Sequence, residues 1–542
     1  MYNLMILDFY EDIMTVSPMK KNSTYWEKLE ISSDDLQYLT NYLFETEEPL
    51  PINSLSLVLV NHRLQLHAKE EAARKAEAGL TYKPKESYEV GTRLSFPELD
   101  NITGVIKSIR EGDNPGLGIF QIATVELEDG TIKEFAVNLP GHPLNEIDYS
   151  AASAEAQSAE SIMKTYGRQL SNQLRAALDA QHDLVRIGDT WFPHSLLIDI
   201  GPGQLNIAEA VLDSLGGGPI GIEELMEQLE LTKSGENPKL LAFSLNYALQ
   251  EDSRFDEVGT TGQFSWFLKR LEPAEVLKTP LYLQSDGHSL ISNDLDDSTY
   301  QLLDSLDDEL SFSDEDINDA EASDSIYLTL TYPHWRAGSM PVTPLTNQVF
   351  PTALESDTIK VEFIDEQSKQ AISAWIVREK KYVIGLREWY EEKNLMPGSI
   401  IGIKRTKEPG VMIISPEKKR SNKEWVKTVL VGADGGLVFA LLRQPISAGF
   451  NERMAIAIPD VAGLDSVWQN RQTKSPALKT DVMRMMTELS KLNNQHHVHF
   501  VDLYASINVV RRTAPMDLMN ILLSSEEFFH VGDNYFHITE KA

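Results

Sequence analysis

Among 542 residues there is no cysteine. That excludes a disulfide framework and any thiolate metal site, and it fits a reducing compartment. No run of about 18 apolar residues occurs, so no membrane span is expected. The opening MYNLMILDFYEDIM carries acids where a secretory signal carries bases, so export is not expected and a cytoplasmic protein is. Positive charge is scarce. Lys and Arg number 49 against 82 Asp and Glu, a formal net charge of −33. A chain this acidic repels polyphosphate unless its cations are segregated. Reaction signatures are missing too. Gly201-Pro-Gly-Gln and Gly116-Leu-Gly extend to neither a Walker A loop nor a dinucleotide fingerprint, and Gly-x-Ser-x-Gly and His-Glu-x-x-His do not occur. His496, His497 and His499 alternate along an extended segment, so only His497 and His499 share a face. The expectation is a non-enzymatic protein with no metal and no cofactor.

What is present is modular. A chain of this length exceeds one core, and about three to five domains are expected. Between Gln204 and Leu271 apolar residues recur at helical spacing: Ile207, Ala210, Val211 and Leu215, then Ile222, Leu225, Met226 and Leu229, then Leu240, Phe243, Leu245 and Leu249. Apolar runs around Phe255 and Phe267 follow, joined through Gly259 and Gly262, which is a hairpin signal. Three helices closed by a hairpin predict a winged helix over 201–275. A Gly-centred turn followed by aromatics repeats at Gly188-Asp-Thr-Trp-Phe and Gly532-Asp-Asn-Tyr-Phe, each after a helical stretch. Winged-helix units are therefore expected over 475–542 and around the helix and wing at 151–200. The helices missing before that first wing are supplied if 33–66, within an N-terminal helical region 1–81, folds against 151–195.

Over 82–145 the period is two, with a tight turn at Glu128-Asp-Gly-Thr. Short strands so closely spaced hide their edges by curling into a small barrel. Residues 286–324 hold 14 Asp or Glu and no Lys or Arg, so an acidic disordered linker is expected there. Between Asp357 and Lys427 the balance reverses, with 15 Lys or Arg against 11 Asp or Glu, within a mixed β domain over 325–470. The fold class expected is α+β and multidomain: winged-helix units, a small SH3-like β-barrel and a mixed, pseudobarrel-like β domain.

Three stretches resemble known families. The helix spacing at 204–271, with Gln250-Glu-Asp-Ser-Arg-Phe before the wing, resembles the HARE-type helix-turn-helix of the RNA polymerase delta subunit. YEVGTRLSFPELDNITGVIKSI resembles the opening of CarD-type SH3-like barrels, which dock on bacterial RNA polymerase. The strands TIKVEFID, AISAWIVREK and KYVIGL, a short helix and the turn Leu395-Met-Pro-Gly-Ser are similar to the B3-type and AbrB-like DNA-binding pseudobarrels, with Ser399 where those carry Asp. These resemblances imply a bacterial, transcription-associated protein with RNA polymerase as protein partner and DNA as a second ligand.

The charges say which surfaces suit which partner. The third helix of the unit at 204–271, Asn237 to Asp252, carries Lys239 as its only base, and the matching helix Ala514 to Leu523 carries none. Such helices do not approach phosphates, so protein contacts are expected of both. Nucleic-acid contact is expected at Arg378, Lys380, Lys381, Lys404, Arg405, Lys407, Lys418, Lys419 and Arg420. Trp389 and Trp425, beside Trp375 and Tyr382, are the expected stacking surfaces, and Arg511 and Arg512 stand at the start of the last helix. Two other readings stay open: a scaffold that binds only proteins, and a subunit of a DNA-processing system.

Overall fold

The computed structural model describes residues 25–539 except 100–101, 115–117, 147–157, 234, 261, 286–294, 319–320, 353–355, 433–434 and 474–475. It is a mixed α and β chain that divides after Leu197 into two compact units.

In the first unit, α1 (Ser33–Thr46) opens on a capping box. Ser32 Oγ accepts from Asp35 N at 3.3 Å, and the Asp35 carboxylate accepts from Ser32 N at 2.9 Å. β1 (Leu50–Pro51) and α2 (Ile52–Ala78) follow. A five-stranded sheet is then inserted. Its strands β2 (Leu80–Thr81), β3 (Arg93–Phe96), β4 (Ile102–Glu111), β5 (Gln121–Leu127) and β6 (Ile132–Val137) lie in chain order. The β5–β6 turn needs Gly130, whose φ is +80°, a value that side chains resist. The chain returns through α3 (Ala159–Asp179) to a hairpin, β7 (Leu184–Ile187) and β8 (Thr190–Pro193), and β1 pairs with β8. Leu39, Leu43, Ile52 and Leu55 thereby share one core with Leu174, Leu178 and Trp191 across the insertion.

The second unit begins with the same order of elements. α4 (Pro202–Ser214), β9 (Ile220–Gly221), α5 (Ile222–Gln228) and α6 (Pro238–Glu251) lead to the hairpin β10 (Phe255–Glu257) and β11 (Ser265–Leu268), and β9 pairs with β11. Trp266 is buried in this core and donates its Nε1–H to Asn246 Oδ1 at 2.8 Å. α7 (Ala274–Leu277), α8 (Asp297–Asp304) and α9 (Asp314–Asn318) connect to a seven-stranded sheet. Its elements in chain order are β12 (Ser325–Thr329), α10 (Tyr332–Ala337), β13 (Ser339–Pro341), α11 (Pro344–Asn347), β14 (Thr358–Asp365), β15 (Ala371–Val377), β16 (Tyr382–Ile384), α12 (Arg387–Glu392), β17 (Ile400–Arg405) and β18 (Val411–Pro416). The strands lie in the order β12-β17-β18-β14-β15-β16-β13 and curl into a half-barrel. At the Leu395-Met-Pro-Gly-Ser turn, Ser399 Oγ accepts from Met396 N at 3.0 Å. Gly398 sits at φ +91°, where a Cβ would strike the Ala455 backbone at 2.5 Å.

A long ribbon follows, β19 (Lys418–Val431) against β20 (Leu437–Ala448), with β21 (Ile456–Ala457) parallel to β19 and then α13 (Val461–Thr473). The chain ends on the third occurrence of the helical pattern among the described residues: α14 (Leu478–Ser490), β22 (Val498–His499), α15 (Phe500–Asn508), α16 (Pro515–Ser524) and the hairpin β23 (Phe528–Gly532) and β24 (Tyr535–Ile538). In all three cases the sheet places the last strand between the first and the second.

Two expectations need correction. The acidic stretch 286–324 is not a disordered linker over its described part. Residues 297–304 and 314–318 are helical, and Leu303, Leu306 and Ile317 are buried in the cores on either side. Two of its acids are paired from far along the chain. Arg512 binds both oxygens of Asp308 at 2.5 and 2.8 Å and Glu309 Oε1 at 2.8 Å, while His334 Nε2 lies 3.0 Å from Glu309 Oε2. The boundaries drawn between 201–275, 325–470 and 475–542 also dissolve into shared cores. Val258 and Phe267 of the β10–β11 hairpin segment pack with Trp375 and Tyr382, and Val429 and Phe439 of the ribbon pack with the C-terminal helices.

Candidate nucleic-acid interface

The structure sorts the cations into interior and exposed sets. Arg378 is half-buried and donates to Asn347 Oδ1 at 3.1 Å and Pro351 O at 2.5 Å. Lys380 Nζ donates to Val276 O and Leu277 O at 2.7 and 2.9 Å, and Lys381 Nζ to Phe312 O at 2.8 Å. Arg511 lies 3.1 Å from the buried Asp481, and Arg512 belongs to the interior network with Asp308. Trp389 is a core residue whose Nε1–H is donated to Asp365 Oδ2 at 2.7 Å; Trp375 and Tyr382 are buried as well. Arg512, Trp389, Trp375 and Tyr382 are thus buried, whereas Arg378, Lys380, Lys381 and Arg511 are half-buried with their cationic groups engaged within the fold. The third helices bury one face, with Leu241, Phe243, Leu245 and Leu249 of α6 and Leu518, Met519 and Leu522 of α16 in the core.

The rest of the expected set is exposed. Glu366 binds Lys404 at 2.9 Å and Lys418 at 3.4 Å. Arg405 and Lys407 lie at the β17–β18 turn, whereas β19 starts beside the other end of β17, where Glu417 N donates to Ile400 O. Arg405, Lys407 and Arg420 are exposed and have no carboxylate partner among the described residues. Lys419 lies 4.0 Å from the Phe450 ring centre and 3.4 Å from Glu424. Trp425 is 66% exposed, with the Arg443 guanidinium 5.9 Å over its ring. Exposed Lys423 and Arg443 extend the exposed set and were missed by the clustering of cations in sequence, because β20 brings Arg443 opposite Trp425 only through pairing.

Beside Trp425 the ribbon and the C-terminal helices enclose a cleft of about 450 Å³. Sequence reasoning did not find it, because its walls come from β19, the segment after β20, β22, α15 and β24. Lys427 Nζ is buried and donates to Arg453 O and Asp502 Oδ1. Burial lowers its pKa, against the opposing pull of Asp502. Arg453 donates to Asp502 Oδ2 at 3.1 Å and to the Tyr535 hydroxyl at 3.0 Å. His499 caps α15, with Nδ1 accepting from Val501 N at 3.1 Å, so Nε2 carries the ring proton. Burial first, then the charge of Arg453, pushes the His499 pKa down to about 4. The ring is therefore a neutral donor at physiological pH.

His497 stacks on His537 with ring centres 5.6 Å apart, and among the described residues no group of three His, Asp or Glu side chains is placed to hold a metal. No helix among them is long and apolar enough to cross a membrane. Compared with protein-family models and with curated proteins, the chain matches none.

Proposed function

We propose that this chain is a non-enzymatic, transcription-associated protein of the cytoplasm that binds nucleic acid through the exposed cations of the segment from β17 to β19. One observation carries the reading. In a chain of net charge −33, Arg405, Lys407 and Arg420 are exposed without a carboxylate partner among the described residues, and Arg420 shares its strand with the exposed Trp425. Free cations beside an aromatic surface suit phosphate contact and base stacking. The three helix-and-hairpin assemblies are read as winged helices, the five-stranded sheet as an SH3-like barrel and the seven-stranded half-barrel as a B3- or AbrB-like pseudobarrel. Because the third helices of the second and third assemblies carry Lys239 as their only base, those winged helices serve protein contacts, with RNA polymerase as the partner that the resemblances imply.

The test is retention of labelled DNA by the full chain across a salt series. Replacing Arg405, Lys407 and Arg420 by Glu is expected to abolish binding at about 100 mM salt and to flatten the salt dependence. Undiminished binding by that variant refutes the reading.

A further inference from the structure

Trp425, Lys427 and Val429 share one face of the ribbon with their partners Arg443, Leu441 and Phe439. At Val429 and Phe439 that face is sealed against the C-terminal helices, and at Trp425 it is open. The cleft lies between. Its volume of about 450 Å³ is within the range of sites for small ligands, and it suits one nucleotide, not a duplex. Two cations meet on its floor, where Lys427 and Arg453 share the carboxylate of Asp502. Glu424 and Glu452 also line the cleft, and Glu424 faces Lys419 at 3.4 Å. Arg453 is 42% exposed, and the His499 Nε2–H has no partner among the described residues. A phosphate oxygen accepts from both kinds of donor. The mouth is aromatic, and the cations Lys418, Lys419 and Arg420 precede Trp425 on the same strand, over about 24 Å of extended backbone.

We propose that this cleft takes a single unpaired nucleotide of a bound strand, with the base against the Trp425 indole and its phosphate at Arg453 and His499. The inference rests on the nucleic-acid reading above and adds a preference to it. In a duplex both faces of each base are already stacked, so an indole gains a base only from an unpaired position. Phosphates before that position run back along β19 toward Lys418.

The experiment measures fluorescence anisotropy of a labelled 20-nucleotide single strand, and of the matching duplex, with the full chain (probe lengths of about two helical turns). The expected result is tighter binding of the single strand. Trp425→Ala is expected to weaken it about tenfold and to leave duplex affinity within about twofold, while Trp425→Phe restores most of the loss. Arg453→Gln is expected to act in the same direction. Replacing Arg405, Lys407 and Arg420 by Glu weakens both probes alike. If both probes bind and Trp425→Ala changes neither, or both equally, the cleft is refuted and the proposed function stands. If neither probe binds, both fail. If thymidine monophosphate displaces the strand at micromolar concentration, the cleft is a site for a free nucleotide and the inference is overturned.

Discussion

Replacing Arg512 by methionine keeps most of the side-chain volume and removes its charge. In the native fold the guanidinium is 3% exposed and binds Asp308 through two hydrogen bonds and Glu309 through a third contact, with all three residues buried. The variant leaves two carboxylates in the interior without a neighbouring guanidinium, held by His334, the Tyr504 hydroxyl and Leu310 N. Breaking a buried ion pair by removing one partner costs about 3–5 kcal/mol. For a unit of this size, at roughly 2 °C per kcal/mol, the Tm should fall by roughly 6–10 °C. The pH dependence has a definite sign. Burial pushes the Glu309 carboxyl up, but Arg512 and then His334 outweigh it and hold the pKa below the usual carboxylate range. The native contribution is therefore complete above the unfolded carboxylate pKa and is lost only in strong acid. In the variant the Glu309 carboxyl loses its main cation and takes up a proton more readily, so the deficit at pH 5 should be smaller than at pH 7.5. Calorimetry of the full chain at both pH values is the assay. Adding Asp308→Asn and Glu309→Gln should recover most of the lost Tm, because a neutral cluster no longer needs a cation. A shift of less than about 1 °C for Arg512→Met, as expected of a surface site, would refute the network and return the acidic segment to solvent.

Other perturbations follow from the same geometry. Glu272 is buried beside Asp256, and burial first, then that neighbour, raises its pKa to about 8. A carboxyl whose folded pKa is raised contributes stability at low pH and loses it as pH rises toward 8, so Glu272→Gln should raise the Tm at pH 8.5 and leave it nearly unchanged at pH 5; the reverse order would contradict the buried pair. Asp365 accepts from Gln367 N, Ser368 N and the Trp389 Nε1–H at 2.6–3.0 Å, so Asp365→Ala should destabilise by about 3 kcal/mol in thermal melts, with a change in tryptophan emission. The His499 ring should stay neutral down to about pH 5, and an imidazole resonance titrating near 6.5 would show that it is not buried.

Much of the architecture is local and was legible. The helical spacing at 207–249 and the Gly-centred turns at 188, 259–262 and 532 mark three helix-and-hairpin assemblies, and all three carry the same sheet order. Ser399 stands at a turn where a short hydrogen-bonding side chain is required, and the hydroxyl supplies that bond. The site was legible in part. A run such as Lys404-Arg405-Thr-Lys407 at the end of a strand reads as cationic surface, and so it is. Trp389 and Arg512 were read as surface and are interior, and Arg378 is half-buried, because their partners Asp365, Asp308 and Asn347 lie 24, 204 and 31 residues away. The cleft was invisible, since no two of its elements share a sequence pattern.

Taken alone, the chain determined where many of the helices, strands and turns fall, because periodicity and turn chemistry act over a few residues, but not the helices of the acidic stretch. It also determined that any hold on a polyanion had to be confined to a small cationic area. Only the tertiary structure decided which cations remain free and which acids are solvated. Ion pairing and burial join residues far apart in sequence, and Asp308 with Arg512 shows how a stretch that composition marks for solvent becomes part of the core.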